Sequence, residues 1–153
     1  MKRKGIIFLY VIALISLGFA REFVFVNLNT IIINVKFNES YTYNHFFSFL
    51  SGFNYITLYI SKWFLTAFFI GLFMFLQIKF SLFLYKEIYF KKWFLFFYVL
   101  LIFLASLAYF VGWLLNVNRE GYIISRLLLG LLQSPFPIIF LIPVKYFYKK
   151  NIS

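Results

Sequence analysis

Residues Trp93 to Leu115, WFLFFYVLLIFLASLAYFVGWLL, decide the class of this protein. These 23 residues include no charged side chain, and as an α-helix they would reach roughly 34 Å. That length crosses the hydrocarbon core of a bilayer, about 30 Å thick, with some tilt. Trp93 and Trp113 lie at or near its two ends, where indole rings favour the membrane interface. The stretch therefore predicts a transmembrane helix.

The rest of the chain has the composition of a membrane protein. Of its 153 residues, 64% are hydrophobic and only 12% are charged. A soluble domain of this size could not bury so much apolar surface. The formal net charge is +11, but the basic residues flank apolar segments, where they set topology and meet anionic lipid headgroups. We therefore predict membrane lipids as partners and no binding of nucleic acid.

Outward from the central stretch, further apolar segments predict a four-span architecture. The sequence predicts an all-α integral membrane protein, a single domain with transmembrane helices at about 5–20, 56–78, 93–115 and 123–144. Residues 21–55 form a longer extracytoplasmic segment in this interpretation. Within it, Phe23 to Phe37 alternates apolar and amide side chains, which favours a short strand pair or an extended segment. The aromatic run His45 to Phe53 is interpreted as lying along the outer membrane surface.

Basic residues predict the orientation. Cytoplasmic loops of membrane proteins carry an excess of lysine and arginine. The model with both termini in the cytoplasm places ten basic residues inside, namely Lys2, Arg3, Lys4, Lys79, Lys86, Lys91, Lys92, Lys145, Lys149 and Lys150. It places five outside or in the outer half of a span, namely Arg21, Lys36, Lys62, Arg119 and Arg126. The sequence thus predicts a multi-pass protein of the bacterial inner membrane with both ends inside.

The first apolar segment has two interpretations. It follows three basic residues and ends in Gly18-Phe19-Ala20. It therefore fits either a retained span or a signal peptide cleaved after these small residues. Both place Arg21 on the outer side, so the predicted topology of the remaining chain is the same. Arg21 and Glu22 would form an exposed pair on the outer face, of a kind that contributes little to stability.

Arg126 carries a charge within the fourth predicted span. A charge inside a span is costly and marks a functional site by default. In the structural interpretation, Arg126 lies one turn inside the helix and extends to the outer headgroups, close to Glu120. In the functional interpretation, it faces a partner protein or an anionic substrate group. The sequence leaves both open.

A polar, proline-containing group, Gln133-Ser134-Pro135-Phe136-Pro137, interrupts the same span. Pro135 and Pro137 have no N–H donor, so they predict a break or kink in the helix. Carbonyls released at membrane depth need a new donor, and Gln133 and Ser134 could supply it locally. The alternative is a broken helix that lines a substrate or partner site. In either case we expect this helix to pack against others.

Few residues are suited to chemistry. The chain has no Cys, which excludes disulfides and thiolate metal sites, and its one histidine is His45. There is no Asp, and the four Glu residues are scattered, none near the centre of a predicted span, whereas metal-dependent transfer and ion coupling rely on clustered or central carboxylates. Gln77, next to Lys79, is predicted at the inner membrane boundary. We predict no catalytic, cofactor-binding or metal-binding residue, with an intramembrane enzyme based on Ser134 as the remaining enzymatic alternative.

The C-terminal part of the chain resembles a known family. Residues 122–135, YIISRLLLGLLQSP, followed by residues 142–148, IPVKYFY, are similar to the end of small exosortase-associated membrane proteins of flavobacteria and their relatives, of the exosortase F system-associated type. Those proteins have a similar length and a last span with Arg, then Gln and Pro, then a Pro with aromatics. Their first span is soon followed by Arg and an acidic residue, which Arg21-Glu22-Phe23 would match here.

The resemblance implies an accessory role. An exosortase is a membrane transpeptidase that processes C-terminally tagged exported proteins, and this chain lacks the Cys that such an enzyme needs as nucleophile. The leading hypothesis is a non-catalytic accessory protein for protein sorting, with partner contacts at Arg126, Gln133, Ser134, Pro135 and Pro137. The alternative is a small oligomeric transporter or lipid-handling protein organised around the fourth span. The sequence does not determine the oligomeric state.

Overall fold

Helices make up nearly all of the described chain. The computed structural model of the protein describes residues 3–85 and 88–140. In chain order they form α1 (Arg3–Phe37), a 3₁₀ helix (His45–Gly52), α2 (Tyr55–Tyr85), α3 (Ile88–Leu114) and α4 (Asn118–Leu132). No strand occurs within these two ranges. The predicted all-α class is confirmed.

Three of the helices are long and apolar enough to cross a membrane. These helical segments are Lys4–Phe37, Tyr55–Leu84 and Lys91–Leu114. They contain the predicted spans at 5–20 and 56–78 and nearly all of the span at 93–115. The fourth predicted span, 123–144, begins in α4, which has 15 residues and ends at Leu132. Its last residues lie outside the described ranges, so the fourth span and the orientation stay predictions.

The strand pair or extended segment predicted between Phe23 and Phe37 is wrong. Helix α1 runs without interruption from Arg3 to Phe37 and includes the whole of this stretch. Two polar side chains there bond to backbone one turn back: Asn27 Nδ2 donates to Phe23 O at 2.8 Å, and Thr30 Oγ1 donates to Val26 O at 2.9 Å. Such local bonds let amide and hydroxyl side chains sit in a helix. Their partial two-residue spacing therefore did not indicate a strand.

The buried apolar residues of this stretch follow a helical period instead. Val24, Leu28, Ile31, Ile32 and Val35 all face one hydrophobic cluster, and their spacing of three, four and one places them on one side of a helix. The cluster is completed by Phe47 of the 3₁₀ helix and Leu58 of α2. The chain divides into two compact units, and this cluster is the core of the smaller one, Ser16–Phe69.

Two asparagines of α1 hold the irregular segment that follows the helix. Asn38, with a φ of 53°, ends α1 in the left-handed conformation that asparagine tolerates. Asn34 then bonds both backbone groups of Tyr41: its Nδ2 donates to Tyr41 O at 2.8 Å, and its Oδ1 accepts from Tyr41 N at 3.0 Å. Asn27 Oδ1 accepts from Asn44 N at 2.7 Å. The segment 38–44 is thus bonded to α1 at two points and delivers the chain to the 3₁₀ helix.

The larger unit comprises Met1–Ile15 and Ile70–Ser153. Within it, α3 and α4 pack as an antiparallel pair joined by a short turn, in which Asn116 has a φ of 58°. The start of α1 contacts the end of α2 through Tyr10, whose ring stacks on Phe80 with 5.2 Å between centroids. This unit contains the proline break of the fourth predicted span.

Candidate functional site

Helix α4 is interrupted at the predicted proline group. The helix ends at Leu132, and Gln133 closes it by donating its backbone N–H to Leu129 O at 3.3 Å and to Gly130 O at 3.1 Å. Helical structure resumes at Phe136, where Ile138 and Ile139 donate to Pro135 O at 3.2 and 3.3 Å. The predicted break is confirmed.

Three side chains supply the hydrogen bonds that the break removes. Ser134 Oγ donates to Leu131 O at 2.7 Å and accepts from Phe136 N at 3.2 Å, so it supports the backbone on both sides of the break. Tyr98 of α3 donates to Leu132 O at 3.2 Å. Gln77 of α2 donates its Nε2 to Ser134 O at 2.7 Å. The local donation predicted for Ser134 is confirmed, while the two bonds from α2 and α3 were missed by the sequence analysis.

The two long-range donors are fully buried. Tyr98 is 1% exposed and Gln77 is 0% exposed. Because Gln77 uses its amide nitrogen on Ser134 O, its Oε1 faces the protein interior and has no hydrogen-bond partner among the described residues. Ser81, one turn further along α2, is also buried and donates to Ile78 O at 2.8 Å. Gln77 was predicted only as a residue of the membrane boundary, whereas its side chain joins α2 to the broken helix.

Two glycines set the distance between α3 and α4. A Cβ atom built on Gly112 would lie 2.7 Å from Gly121 Cα, and one built on Gly121 would lie 2.8 Å from Ala108 O. Both distances are shorter than any ordinary carbon contact, so the two backbones touch directly at these positions. Close approach through small residues is a common way for helices to associate in membranes. The contact fixes the position of α4, and with it the position of Arg126.

Arg126 lies on an exposed side of α4. It is exposed, and it makes no hydrogen bond or ion pair with any residue in the described part of the chain. The predicted proximity to Glu120 does not produce an ion pair. Its exposed neighbours Ile123 and Leu127 are apolar, with 52% and 60% of their surface accessible. The guanidinium group therefore has apolar side chains as its nearest exposed neighbours, and the other arginine on this side of the helix, Arg119, lies two turns earlier.

The five residues predicted as partner contacts fall into two groups. Arg126 is exposed. Gln133 and Pro137 are buried, and Ser134 and Pro135 are half-buried. The polar residues of the break thus face inward, where Ser134 bonds to the backbone of its own helix. Of the five, only Arg126 presents a charged group on the surface.

The predicted pair Arg21 and Glu22 belongs to the smaller unit. Arg21 Nη1 and Glu22 Oε2 are 3.1 Å apart, and the Glu22 side chain is 64% exposed. The Arg21 guanidinium also lies over the Phe25 ring, 5.4 Å from its centroid. The ion pair is confirmed, and its location on the outer face of the membrane stays a prediction.

Few side chains able to bind a metal or take part in a reaction lie close together among the described residues. Within residues 3–85 and 88–140, no three His, Cys, Asp or Glu side chains lie close enough to hold a metal ion. Both bonds made by the Ser134 hydroxyl are to backbone atoms. The arrangement therefore positions a broken helix and an exposed arginine, Arg126, about two turns before the break.

No family model, no curated protein and no solved structure matches this chain.

Proposed function

We propose that this chain is a non-catalytic accessory membrane protein that binds a membrane-embedded processing enzyme of the exosortase type in a bacterial inner membrane. The observation that carries the proposal is Arg126, an exposed charged side chain without a described partner whose nearest exposed neighbours, Ile123 and Leu127, are apolar. An unpaired charge among apolar groups at membrane depth is unfavourable. A partner that offers a carboxylate or another acceptor at this position removes that cost.

The packing of α4 supports a binding role for the exposed face that carries Arg126. The close contact at Gly112 and Gly121 holds α4 against α3, and Tyr98 bonds to its last carbonyl. A helix held in this way presents Arg126, Ile123 and Leu127 in a fixed arrangement. Preorganised surfaces bind with a smaller loss of conformational entropy than mobile ones.

The proline break supports the same role indirectly. Its freed carbonyls are bonded by side chains from two other helices, so the break is built into the fold and sets the direction of the chain after Leu132. This is the part of the chain whose sequence resembles the exosortase-associated proteins. In the proposal, the break shapes the contact surface, and Arg126 makes the polar contact.

Affinity purification of the tagged protein from native membranes, after crosslinking, tests the proposal. We expect an exosortase-like transpeptidase to co-purify with the native chain. Arg126→Leu should reduce its recovery, and Arg126→Lys should restore part of it if charge is what the partner binds. Arg119→Leu is the matched control, because it removes the same charge seven residues earlier, on the same side of the helix. Pro135→Ala should also reduce recovery by changing the direction of the chain after the break.

The outcomes separate the hypotheses. Normal recovery with both Arg126→Leu and Pro135→Ala would show that the contact lies elsewhere. Equal losses for Arg119→Leu and Arg126→Leu would indicate a general attraction of cations to anionic lipid. Recovery of self-crosslinked chains alone would contradict the accessory role and favour a small oligomeric transporter or lipid-handling protein.

A further inference from the structure

Helix α1 carries a pair of opposite charges halfway along an apolar stretch. Between Lys4 and Lys36 the only charged residues are Arg21 and Glu22. The pair is separated from these lysines by about 26 Å of helix on one side and about 21 Å on the other. The stretch forms one uninterrupted helix, and its segment Lys4–Phe37 is long and apolar enough to cross a membrane. The pair therefore lies near the middle of a candidate span.

Contacts with α2 within the smaller unit give the pair the same depth. The ring of Phe25, one turn after Arg21, lies 5.8 Å from the ring of Phe69, measured between centroids. Phe69 belongs to the uncharged run of α2 between Lys62 and Lys79 and lies near the middle of that run. This level is among the acyl chains of a bilayer, whereas the sequence predicted the pair on the outer face.

At this depth the carboxylate of Glu22 faces outward. The Glu22 side chain is 64% exposed, whereas Arg21 is 27% exposed and lies 3.1 Å from it. Phe19 and Val26, three residues before and four residues after Glu22, share its side of the helix. They are apolar and 73% and 53% exposed. Contact of a charged side chain with lipid is costly, so this face is better suited to a protein than to acyl chains.

The pair is complementary to a second copy of itself. It carries one positive and one negative charge, so an identical pair offers the opposite charge to each. Copies inserted in the same direction and related by a two-fold axis bring the same face of α1 together. Gly18, one turn before Glu22, leaves room for this approach, because a Cβ atom built there meets nothing within 4 Å. Small residues let membrane helices approach closely.

We propose that two copies of this chain associate through the face of α1 formed by Phe19, Glu22 and Val26. Arg21 and Glu22 of both copies form a cluster of four charges at membrane depth, whose sum is zero. Each carboxylate gains a second guanidinium group, and the apolar side chains pack on either side of the cluster along the helix. The interface uses residues of the smaller unit alone and does not depend on the proposed partner enzyme.

Disulfide crosslinking tests the geometry, and the native chain contains no cysteine that would compete. The full chain with Phe19→Cys or Val26→Cys is oxidised in bacterial membranes with copper phenanthroline. Phe68→Cys is the control, because Phe68 lies at a similar depth on α2 and is 58% exposed. We expect several-fold more disulfide-linked dimer from positions 19 and 26 than from position 68. Equal yields would indicate random collisions and overturn the proposal, as would products linked only to a different protein.

Exchange of the charges between copies tests the cluster. Arg21→Glu gives a chain with two acidic groups, and Glu22→Arg gives one with two basic groups. With Val26→Cys as the crosslinking site, each variant alone should lose most of its dimer, because like charges then meet. Co-expressed under different tags, the two variants should form mixed dimers. Glu39→Arg, beyond the end of α1, should leave the native yield unchanged. Undiminished dimer in either single variant overturns the proposal, and so does a lack of mixed dimers when both chains reach normal levels in the membrane.

Discussion

The two units of this protein hold their helices together by different means. The smaller unit has an apolar core of residues spaced for helix packing, with Ile31 fully buried at its centre. Its polar contacts are amide side chains that bond the backbone of an irregular segment. The larger unit also buries apolar side chains, among them Phe73 and Phe94 at 0% exposure. It adds direct backbone contact at two glycines and two buried side chains, Gln77 and Tyr98, that bond to a broken helix.

This difference follows from the proline break, because the carbonyls that it frees need hydrogen-bond donors from other helices. Small residues such as the two glycines also let helix backbones approach closely. The comparison predicts that the larger unit is sensitive to added volume between α3 and α4 and to lost hydrogen bonds at the break, whereas the smaller unit depends on its apolar cluster.

The largest effect is expected from a cavity in the smaller unit. Ile31→Ala should destabilise this unit by about 2–5 kcal/mol, because it removes a fully buried side chain and leaves a void. Hydrogen exchange measured by mass spectrometry should show faster exchange within residues 16–69. Ile33→Ala is the matched control on the same helix, since Ile33 is 39% exposed. Equal effects of the two substitutions would show that the cluster around Ile31 is not a stabilising core.

A smaller effect is expected from added volume between α3 and α4. Gly121→Ala should cost roughly 1–3 kcal/mol, because its Cβ would lie 2.8 Å from Ala108 O and the helices must separate. Unfolding in mixed detergent micelles, followed by circular dichroism, measures this change. Gly130→Ala in the same helix meets nothing within 4 Å. This control should be neutral, or stabilising by up to about 1 kcal/mol through helix propensity. A neutral Gly121→Ala would contradict the close contact.

The smallest effect is expected from a single hydrogen bond at the break. Tyr98→Phe keeps the ring and removes the donor to Leu132 O. Hydrogen bonds between membrane helices contribute about 0.6 kcal/mol on average, so we expect a loss of this order in the same unfolding measurement. Tyr109→Phe, at a half-exposed position of α3, should change nothing. A loss no larger than that of Tyr109→Phe would mean that water or another group replaces the Tyr98 hydroxyl.

Local features of the chain were predictable where the cause is local. The span at 93–115 follows from an uncharged apolar run, and the break near Pro135 follows from missing N–H donors. The stretch from Phe23 to Phe37 was mispredicted because its asparagines suggested a period of two. The helical spacing of Val24, Leu28 and Ile31 was present in the same residues, so this error could have been avoided.

The sequence by itself determined three apolar segments that form helices suited to a membrane, because hydropathy and segment length are properties of consecutive residues. Only the tertiary structure decided which carbonyls Gln77 and Tyr98 bond, how closely Gly112 approaches Gly121, and which side of α4 exposes Arg126. Each of these depends on residues far apart in sequence that meet only after the helices have packed. Long-range contacts of this kind leave no periodic signal in a single sequence, so neither the donors to the break nor the exposure of Arg126 could be derived without the fold.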